Sequence, residues 1–195
     1  MLNSNNMIEL YLVRHGETEE NVAQILQGHL PGHLTALGRQ QAIQLAERLN
    51  KEHITFDALL CSDLQRTIDT ATIIKNHLNQ NVTITPCPLL RERDWGHSTG
   101  TAISLARNEG IASDAESIND MYRRALQFLS FTKDKYDNKK ILAVGHGLFN
   151  RIIQAVLLGC SKKEIPRMQN AEVRHLIVDQ LPNTCYCEEE SISAN

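Results

Sequence analysis

The apolar residues of this chain form short runs that are separated by longer amphipathic segments. Short continuous runs with turn-like residues at their ends are typical of strands covered on both faces. The runs of strand length are Ile8–Val13, Phe56–Cys61, Val82–Thr85, Ile141–Gly145 and Val173–Asp179. The pattern therefore predicts a buried sheet.

Helical periodicity fills most of the segments between these runs. The predicted helices cover residues 36–50, residues 63–79, a segment that starts at Ser117, and about residues 148–158. Thr35 and Ser62 are predicted N-caps of the first two helices. Ser117 begins an S-x-x-D capping box with Asp120, and Gly159 is expected to end the last helix.

Strands that alternate with helices favour an α/β fold. We expect a three-layer sandwich with a mostly parallel central sheet, flanked by helices on both faces. No repeat or Gly- and Pro-rich linker divides the chain, so we expect a single domain over residues 7–180, with flexible termini at 1–6 and 188–195. Such sheets place their sites at the carboxyl ends of the strands, where chemistry should be sought first.

Composition and charge exclude several classes of protein. Hydrophobic residues make up 42% of the 195 positions and charged residues 22%, which are values of an ordinary globular chain. The net charge of −3 gives no reason to expect a nucleic-acid partner, and no apolar stretch reaches membrane length. Five cysteines, an odd number, favour free thiols over a disulfide framework, and Cys185 and Cys187 are interpreted as ordinary thiols. We expect a cytoplasmic protein.

Charged and imidazole side chains follow four of the predicted strands. The first strand leads directly into Arg14 and His15, and the fourth ends at His146, which lies between two glycines. Arg66 falls in the first turn of a helix, where the helix dipole favours anions, and Glu92 follows the third strand. The carboxyl ends of the strands therefore supply two imidazoles, two guanidinium groups and a carboxyl group.

These residue types fit phosphoryl transfer from a phosphomonoester. Arg14 and Arg66, together with a protonated His146, would bind the oxygens of the phosphoryl group. The surrounding positive charge would lower the pKa of His15 and keep its imidazole neutral and nucleophilic. Glu92 would protonate the leaving oxygen and later deprotonate water. This scheme requires no metal ion and no cofactor.

Four sequence blocks occur in the order of a known family. They are LVRHGET at 12–18, SDLQRT at 62–67, LLRERDWG at 89–96 and VGHG at 144–147. Together they resemble the histidine phosphatase superfamily, also called phosphoglycerate-mutase-like, over nearly the whole chain. The resemblance implies that His15 becomes phosphohistidine, that Arg14, Arg66 and His146 bind the phosphoryl group, and that Glu92 is the proton donor.

The resemblance also implies contacts to the substrate outside this group. Asn21 lies six residues after His15, as in the family pattern, and implies a phosphate contact. Gln27 and Gly28 match the Gln-Gly pair that follows it, and Gly147 closes the last block. Ile25 stands where many relatives have arginine near the rim of the pocket, so the resemblance does not carry their substrates over to this chain.

The short segment between Glu92 and the third predicted helix favours one activity within the family. Only about residues 97–116 remain for a lid insertion, and Arg107 is the sole lysine or arginine in it. Mutases of this family carry a longer and more basic insertion. A small lid should let water reach the phosphohistidine, so we expect a phosphatase acting on a small phosphomonoester, with a phosphoglycerate mutase-type phosphoryl transferase as the alternative.

Two further alternatives come from other classes of protein. A non-catalytic module that binds phosphoryl ligands would need the arginines but not a proton donor. The presence of Glu92 together with His15 and His146 therefore argues against such a module. His29 and His33 have the i, i+4 spacing of helical metal ligands. Pro31 and Gly32 interrupt any helix between them, so we expect no metal site there.

Overall fold

The computed structural model describes residues 7–182 and contains a five-stranded sheet with strand order β3-β2-β4-β1-β5. The strands are β1 Ile8–Arg14, β2 Ala58–Cys61, β3 Ile84–Pro86, β4 Lys140–Gly145 and β5 Val173–Val178. The first four are parallel to one another, and β5 pairs with β1 in the antiparallel direction. The mostly parallel sheet expected from the sequence is thus confirmed, with an antiparallel strand at one edge.

Helices cover both faces of this sheet. They are α1 Glu19–Val22, α2 Ala36–Lys51, α3 Gln65–His77, α4 Ile103–Glu109, α5 Ile118–Lys135 and α6 Gly147–Leu158, with 3-10 turns at Pro88–Leu90 and Gly96–Ser98. Alternate residues of β1 enter different cores: Leu10 and Leu12 pack with α5 and α6, whereas Tyr11 and Val13 pack with α2 and α3. The predicted three-layer sandwich is confirmed.

Most of the predicted helix ends agree with the structure. The Thr35 hydroxyl accepts a hydrogen bond from the Gly38 amide at 2.9 Å, and the Ser117 hydroxyl accepts one from the Asp120 amide at 3.0 Å. Gly159 ends α6 in the left-handed conformation. These caps form from residues close in sequence, which explains why the sequence pattern identified them.

The predicted N-cap at Ser62 is wrong. The helix α3 begins at Gln65, with Leu64 at its N-cap position. The Ser62 hydroxyl instead accepts a hydrogen bond from the Leu64 amide at 3.3 Å, before the helix begins. The Arg66 amide donates to the carbonyl of Pro31 at 3.0 Å, so a distant loop, rather than a local side chain, satisfies the start of this helix.

The segment predicted as a lid contains two elements that the sequence pattern did not indicate. Residues 97–116 include α4 and part of the 3-10 turn at 96–98. Neither this helix nor α1 is long enough to show a helical period. An isolated bridge between Ile25 and Ala102 joins the predicted lid to the segment after α1.

Several sequence expectations concern the termini and the thiols. Cys61, Cys87 and Cys160 are free cysteines, whereas Cys185 and Cys187 lie outside the described residues. The termini predicted at 1–6 and 188–195 lie outside them as well. Within residues 7–182, no helix combines the length and the apolar character needed to cross a bilayer.

Candidate active site

The adjacent parallel strands β1 and β4 bring the two predicted histidines together. Arg14 pairs in register with Gly145, so the next residue of each strand, His15 and His146, emerges at the same edge of the sheet. The backbone amide of His15 donates to the Gly145 carbonyl at 3.0 Å. The two imidazole centroids lie 5.3 Å apart, with their planes at 62°.

The ring of His15 is buried and its tautomer is set by a backbone contact. Nδ1 lies 2.7 Å from the carbonyl oxygen of Gly16. A carbonyl only accepts hydrogen bonds, so Nδ1 carries the proton and Nε2 of the neutral ring keeps its lone pair. Burial and the nearby charges of Arg66 and Arg14 hold the pKa of His15 well below its usual 6.5. The ring is therefore neutral, and the lone pair of Nε2 is not protonated.

The ring of His146 is fully buried, and neither of its nitrogens has a hydrogen-bond partner among the described residues. Burial, followed by the charges of Arg66 and His15, holds its pKa well below 6.5. Burial thus favours the neutral ring in this structure, whereas the sequence context predicts a protonated His146 beside a phosphoryl group. Unsatisfied buried polar atoms of this kind are a feature of sites that receive a polar ligand.

Arg14 and Arg66 are each held by backbone carbonyls. The Arg14 guanidinium donates to the carbonyl of Met168 at 2.8 Å, and Arg66 donates to the carbonyls of Leu30 and Gly28. The Nε atoms of both arginines are buried without a partner among the described residues. Burial lowers the pKa of Arg66 to about 10, so it remains charged at neutral pH.

Glu92 lies at the N-terminus of α6. Its Oε1 accepts hydrogen bonds from the amides of Arg93 at 2.9 Å and Phe149 at 3.2 Å, and its Oε2 accepts one from Leu148 at 3.1 Å. Gly147 begins the same helix, and a Cβ at this position would lie 3.2 Å from Nε of Arg14. The amides at the start of the helix therefore fix the carboxyl group, and the absence of a side chain at Gly147 lets Arg14 approach.

The remaining predicted residues lie between β1 and α2, with Asn21 in the short helix α1 and Gln27 and Gly28 after it. The Oδ1 atom of Asn21 accepts hydrogen bonds from the Thr18 amide at 3.3 Å and from Nδ2 of Asn170 at 3.1 Å, which leaves its NH₂ group as the available donor. Gln27 is buried, with Oε1 unpaired among the described residues. Gly28 has a φ of +49°, which favours glycine, and its carbonyl holds Arg66.

These side chains surround a cavity of about 380 Å³ at the carboxyl ends of the strands. Every predicted site residue except His146 lines it. The other lining residues are Ile25, Leu26, Trp95, Ile103, Arg107, Leu148, Arg151, Arg167 and Met168. Arg151 lies one turn after Gly147 on α6, so helical spacing could have indicated it. Arg167 lies in an irregular loop and has no signal in the sequence pattern.

The two histidines that have the sequence spacing of helical metal ligands contact different partners. Nε2 of His29 donates to the carbonyl of Glu92 at 3.0 Å, whereas Nδ1 of His33 pairs with the carboxylate of Glu20 at 2.9 Å. The pKa of His33 is raised by this hydrogen bond to Glu20. Within residues 7–182 no group of three or more His, Cys, Asp or Glu side chains is arranged to hold a metal ion.

Comparison with known proteins shows which family this arrangement belongs to. A sequence profile of the histidine phosphatase superfamily (branch 1) matches residues 10–188. The chain belongs to this superfamily. The resemblance inferred from the four sequence blocks is therefore confirmed. The location of both histidines at adjacent strand ends is consistent with membership, since each of the blocks that carry them closes a strand of the sheet.

Several known proteins are similar to this one over most of its length. The broad-specificity phosphatase YOR283W of Saccharomyces cerevisiae is 31% identical over 88% of this chain and 64% of its own length, so the chain spans less than two thirds of that relative. The probable phosphoglycerate mutase GpmB of Erwinia tasmaniensis is 30% identical over 90% of this chain and 87% of its own. The solved structure of YhfR from Bacillus stearothermophilus has a TM-score of 0.78 and 26% identity, and the match covers 94% of this chain and 96% of that one. The superfamily and its phosphatase-named relatives support a phosphatase.

Proposed function

We propose that this histidine phosphatase hydrolyses a small phosphomonoester through a phosphohistidine at His15. The observation that carries the proposal is the contact between Nδ1 of His15 and the Gly16 carbonyl, at 2.7 Å. It leaves Nε2 unprotonated beside a cavity lined by Arg14, Arg66 and Glu92. Nucleophilic attack on a phosphoryl group requires a neutral nucleophile, here the imidazole, and fixed positive charges, here the guanidinium groups.

The first step transfers the phosphoryl group to the protein. Nε2 of His15 forms a bond to phosphorus while the bond from phosphorus to the leaving oxygen breaks. The unpaired Nε atoms of Arg14 and Arg66 are donors available to the phosphoryl oxygens. The buried ring of His146 offers another polar contact on the same side, because it lies 5.3 Å from the ring of His15.

Glu92 supplies and recovers the proton. Its Oε1 already accepts two hydrogen bonds and its Oε2 only one, so Oε2 has the lone pair available for a proton. In the first step this proton passes to the leaving oxygen. A water molecule then attacks phosphorus and gives a proton to Glu92, the bond from phosphorus to Nε2 breaks, and inorganic phosphate leaves.

A single-turnover experiment tests the phosphohistidine. The protein is mixed with para-nitrophenyl phosphate and quenched, and acid-labile phosphate on the protein is measured. We expect labelled protein and nitrophenol release from the wild type and from His77→Ala, which changes an exposed histidine at the end of α3. His15→Ala should lose both signals. Label that persists in His15→Ala would contradict the nucleophile, and an unlabelled but phosphate-binding wild type would indicate a binding module.

The probable mutase among the relatives makes phosphoryl transfer the second candidate. Incubation with 3-phosphoglycerate and catalytic 2,3-bisphosphoglycerate separates the two activities. A phosphatase releases inorganic phosphate, whereas a mutase forms 2-phosphoglycerate without net release. The short lid, with Arg107 as its only lysine or arginine, supports the phosphatase, because water then has access to the intermediate.

The mechanism uses side chains alone, so we propose that it is independent of metal ions. Dialysis against a chelator should leave kcat/KM for para-nitrophenyl phosphate unchanged, and added Mg²⁺ or Zn²⁺ should not increase it. A chelated protein that loses activity and regains it with one metal ion would contradict the mechanism.

A further inference from the structure

The tautomer of His15 depends on the orientation of one peptide group. The carbonyl of Gly16, 2.7 Å from Nδ1, determines which ring nitrogen carries the proton. In a neutral imidazole either nitrogen can carry it, and the hydrogen bond that the surroundings offer decides between them. If this carbonyl turned away, the proton would be free to move to Nε2, and the lone pair that the proposed mechanism uses would be lost.

Gln41 holds the other end of the same peptide group. The carbonyl of Gly16 and the amide N–H of Glu17 belong to one trans peptide unit, so they point in opposite directions. The Glu17 amide donates to Oε1 of Gln41 at 2.9 Å. Gln41 lies in the second turn of α2 and is half-buried. Because the N–H is fixed on one side, the carbonyl on the other side stays directed at His15.

Thr70 holds the preceding peptide group, between His15 and Gly16. The Gly16 amide donates to the Thr70 hydroxyl at 3.1 Å, and this hydroxyl donates to the Arg66 carbonyl at 2.7 Å. A hydroxyl has a single proton, so the bond to Arg66 leaves it only as an acceptor toward Gly16. Thr70 is fully buried on α3, one turn after Arg66. The same side chain thus joins the residue after the proposed nucleophile to the helix that carries Arg66.

The glycine at position 16 explains why two acceptors are needed. Glycine has more conformational freedom than any other residue, so the peptide groups on both sides of it reorient easily. A larger residue does not fit, because a Cβ at Gly16 would lie 2.4 Å from the carbonyl oxygen of Gly38. The close approach of α2 therefore requires glycine, and the two side-chain acceptors restrict its freedom.

We infer that Gln41 and Thr70 are positioning residues, which hold the peptide groups on both sides of Gly16 and thereby keep Nε2 of His15 unprotonated. The inference rests on the proposed function, because it concerns the same nucleophile. Neither residue is among those that line the cavity, so both act through the backbone. Attack by Nε2 on phosphorus places positive charge on the ring, and a carbonyl fixed beforehand at Nδ1 stabilises this charge without reorganisation.

Nitrogen NMR of the imidazole rings tests the positioning directly. The protein is labelled with ¹⁵N-histidine, and the signals of His15 are assigned by their absence from His15→Ala. At neutral pH we expect the proton on Nδ1 in the wild type. In Gln41→Leu and in Thr70→Val the ratio of Nε2-protonated to Nδ1-protonated rings should rise by about threefold to tenfold, as the loss of one hydrogen bond predicts. An unchanged ratio in both variants would overturn the inference.

Each variant has a matched control. Gln44→Leu makes the same change at an exposed position of α2, one turn after Gln41. Thr132→Val makes the same change at a fully buried threonine of α5, whose hydroxyl donates to the Leu129 carbonyl at 2.8 Å. Thr70→Ser keeps the hydroxyl. All three should keep the wild-type tautomer. A tautomer change in a control as large as in its matched variant would show a general loss of packing and contradict the inference.

Single turnover of para-nitrophenyl phosphate separates positioning from binding. In Gln41→Leu the rate constant of nitrophenol release should fall by about threefold to tenfold, because the carbonyl that stabilises the ring is no longer fixed. Inhibition by inorganic phosphate should not weaken, because Arg14 and Arg66 are held by other carbonyls. A parallel loss of rate and of phosphate inhibition would indicate a disrupted cavity and contradict the inference.

The two measurements distinguish the inference from the proposed function. If no phosphomonoester is hydrolysed but the tautomer of His15 depends on Gln41 and Thr70, the proposed function fails and the positioning role stands. If the wild type forms phosphohistidine and both variants keep the wild-type tautomer and rate, the positioning role fails and the phosphatase stands.

Discussion

The side-chain amide of Asn170 donates to Oδ1 of Asn21 at 3.1 Å and to the backbone carbonyl of His15 at 3.2 Å. Asn170 therefore joins the loop before β5 to His15 and Asn21, both of which line the cavity. Because Oδ1 of Asn21 is occupied, its NH₂ group is the part of the amide that remains for a phosphoryl oxygen. The sequence blocks contain no indication of Asn170, which acts as a positioning residue in this arrangement.

Asn170→Asp should reverse the orientation of this amide. A carboxylate at position 170 accepts hydrogen bonds, so the NH₂ group of Asn21 would turn toward it and away from the cavity. We expect inhibition by inorganic phosphate to weaken by about tenfold. Asn138→Asp makes the same charge change at an exposed turn and should leave phosphate inhibition as in the wild type. An unchanged inhibition constant in a correctly folded Asn170→Asp variant would exclude the positioning role.

The two buried histidines should make the fold less stable in mild acid. Burial and Arg66 hold the pKa values of His15 and His146 well below 6.5 in the folded protein. Below pH 6.5 the unfolded chain binds protons that the folded chain does not bind, so the free energy of unfolding falls as the pH decreases. Each histidine should contribute about 1 kcal/mol per pH unit between 6.5 and its lower folded-state pKa.

Urea unfolding at pH 7 and pH 5.5 measures this effect. His146→Gln removes one titrating ring, so its free energy of unfolding should decrease less than that of the wild type over this interval. Direct ¹⁵N NMR of the ring nitrogens should show both imidazoles neutral at pH 6. Equal pH dependence in wild type and variant would show that His146 titrates normally in the folded protein.

Gly38→Ala should strongly destabilise the protein. A Cβ at Gly38 would lie 2.1 Å from the carbonyl oxygen of Glu17, so the start of α2 would have to move away from the loop that follows His15. We expect a loss of about 2–4 kcal/mol, measured by urea unfolding. Leu37→Ala, an exposed change in the same helical turn, should cost less than about 0.5 kcal/mol. A stability loss in Gly38→Ala no larger than that of the control would contradict the close approach.

Arg124→Lys should displace Glu92, the proposed proton donor. The Arg124 guanidinium binds the carboxylate of Glu116 at 2.7 Å and donates to the carbonyls of Leu89 and Arg91, in the segment that leads into Glu92. Lysine retains the charge but cannot bridge three acceptors in one plane. We expect kcat to fall by about tenfold for alkyl phosphates, whose leaving oxygen needs a proton, and much less for para-nitrophenyl phosphate.

The neighbouring change Arg123→Lys is the control for this prediction, since Arg123 is exposed and pairs with the carboxylate of Asp120 in the preceding turn of α5. Its kcat should match the wild type for both substrates. Equal losses for the two substrates in Arg124→Lys would indicate a general structural role rather than the placement of Glu92.

The sequence determined the order of the elements and the chemistry at the strand ends. His15 directly follows β1, and His146 directly follows β4. Because an apolar strand and the polar residue after it are adjacent in the chain, local pattern is enough to predict both. The same reasoning identified the caps at Thr35 and Ser117, where the donor and acceptor are separated by only three residues.

Only the tertiary structure decided the burial of His146 and which residues of the loop before β5 reach the cavity. Desolvation depends on what packs around a ring, and burial holds the pKa of His146 well below 6.5, although its sequence context predicted a cation. Arg167 and Asn170 reach the site because β5 returns antiparallel beside β1 and places the preceding loop over it. Contacts between segments so far apart in the chain produce no periodic pattern in the sequence, so only the fold shows them.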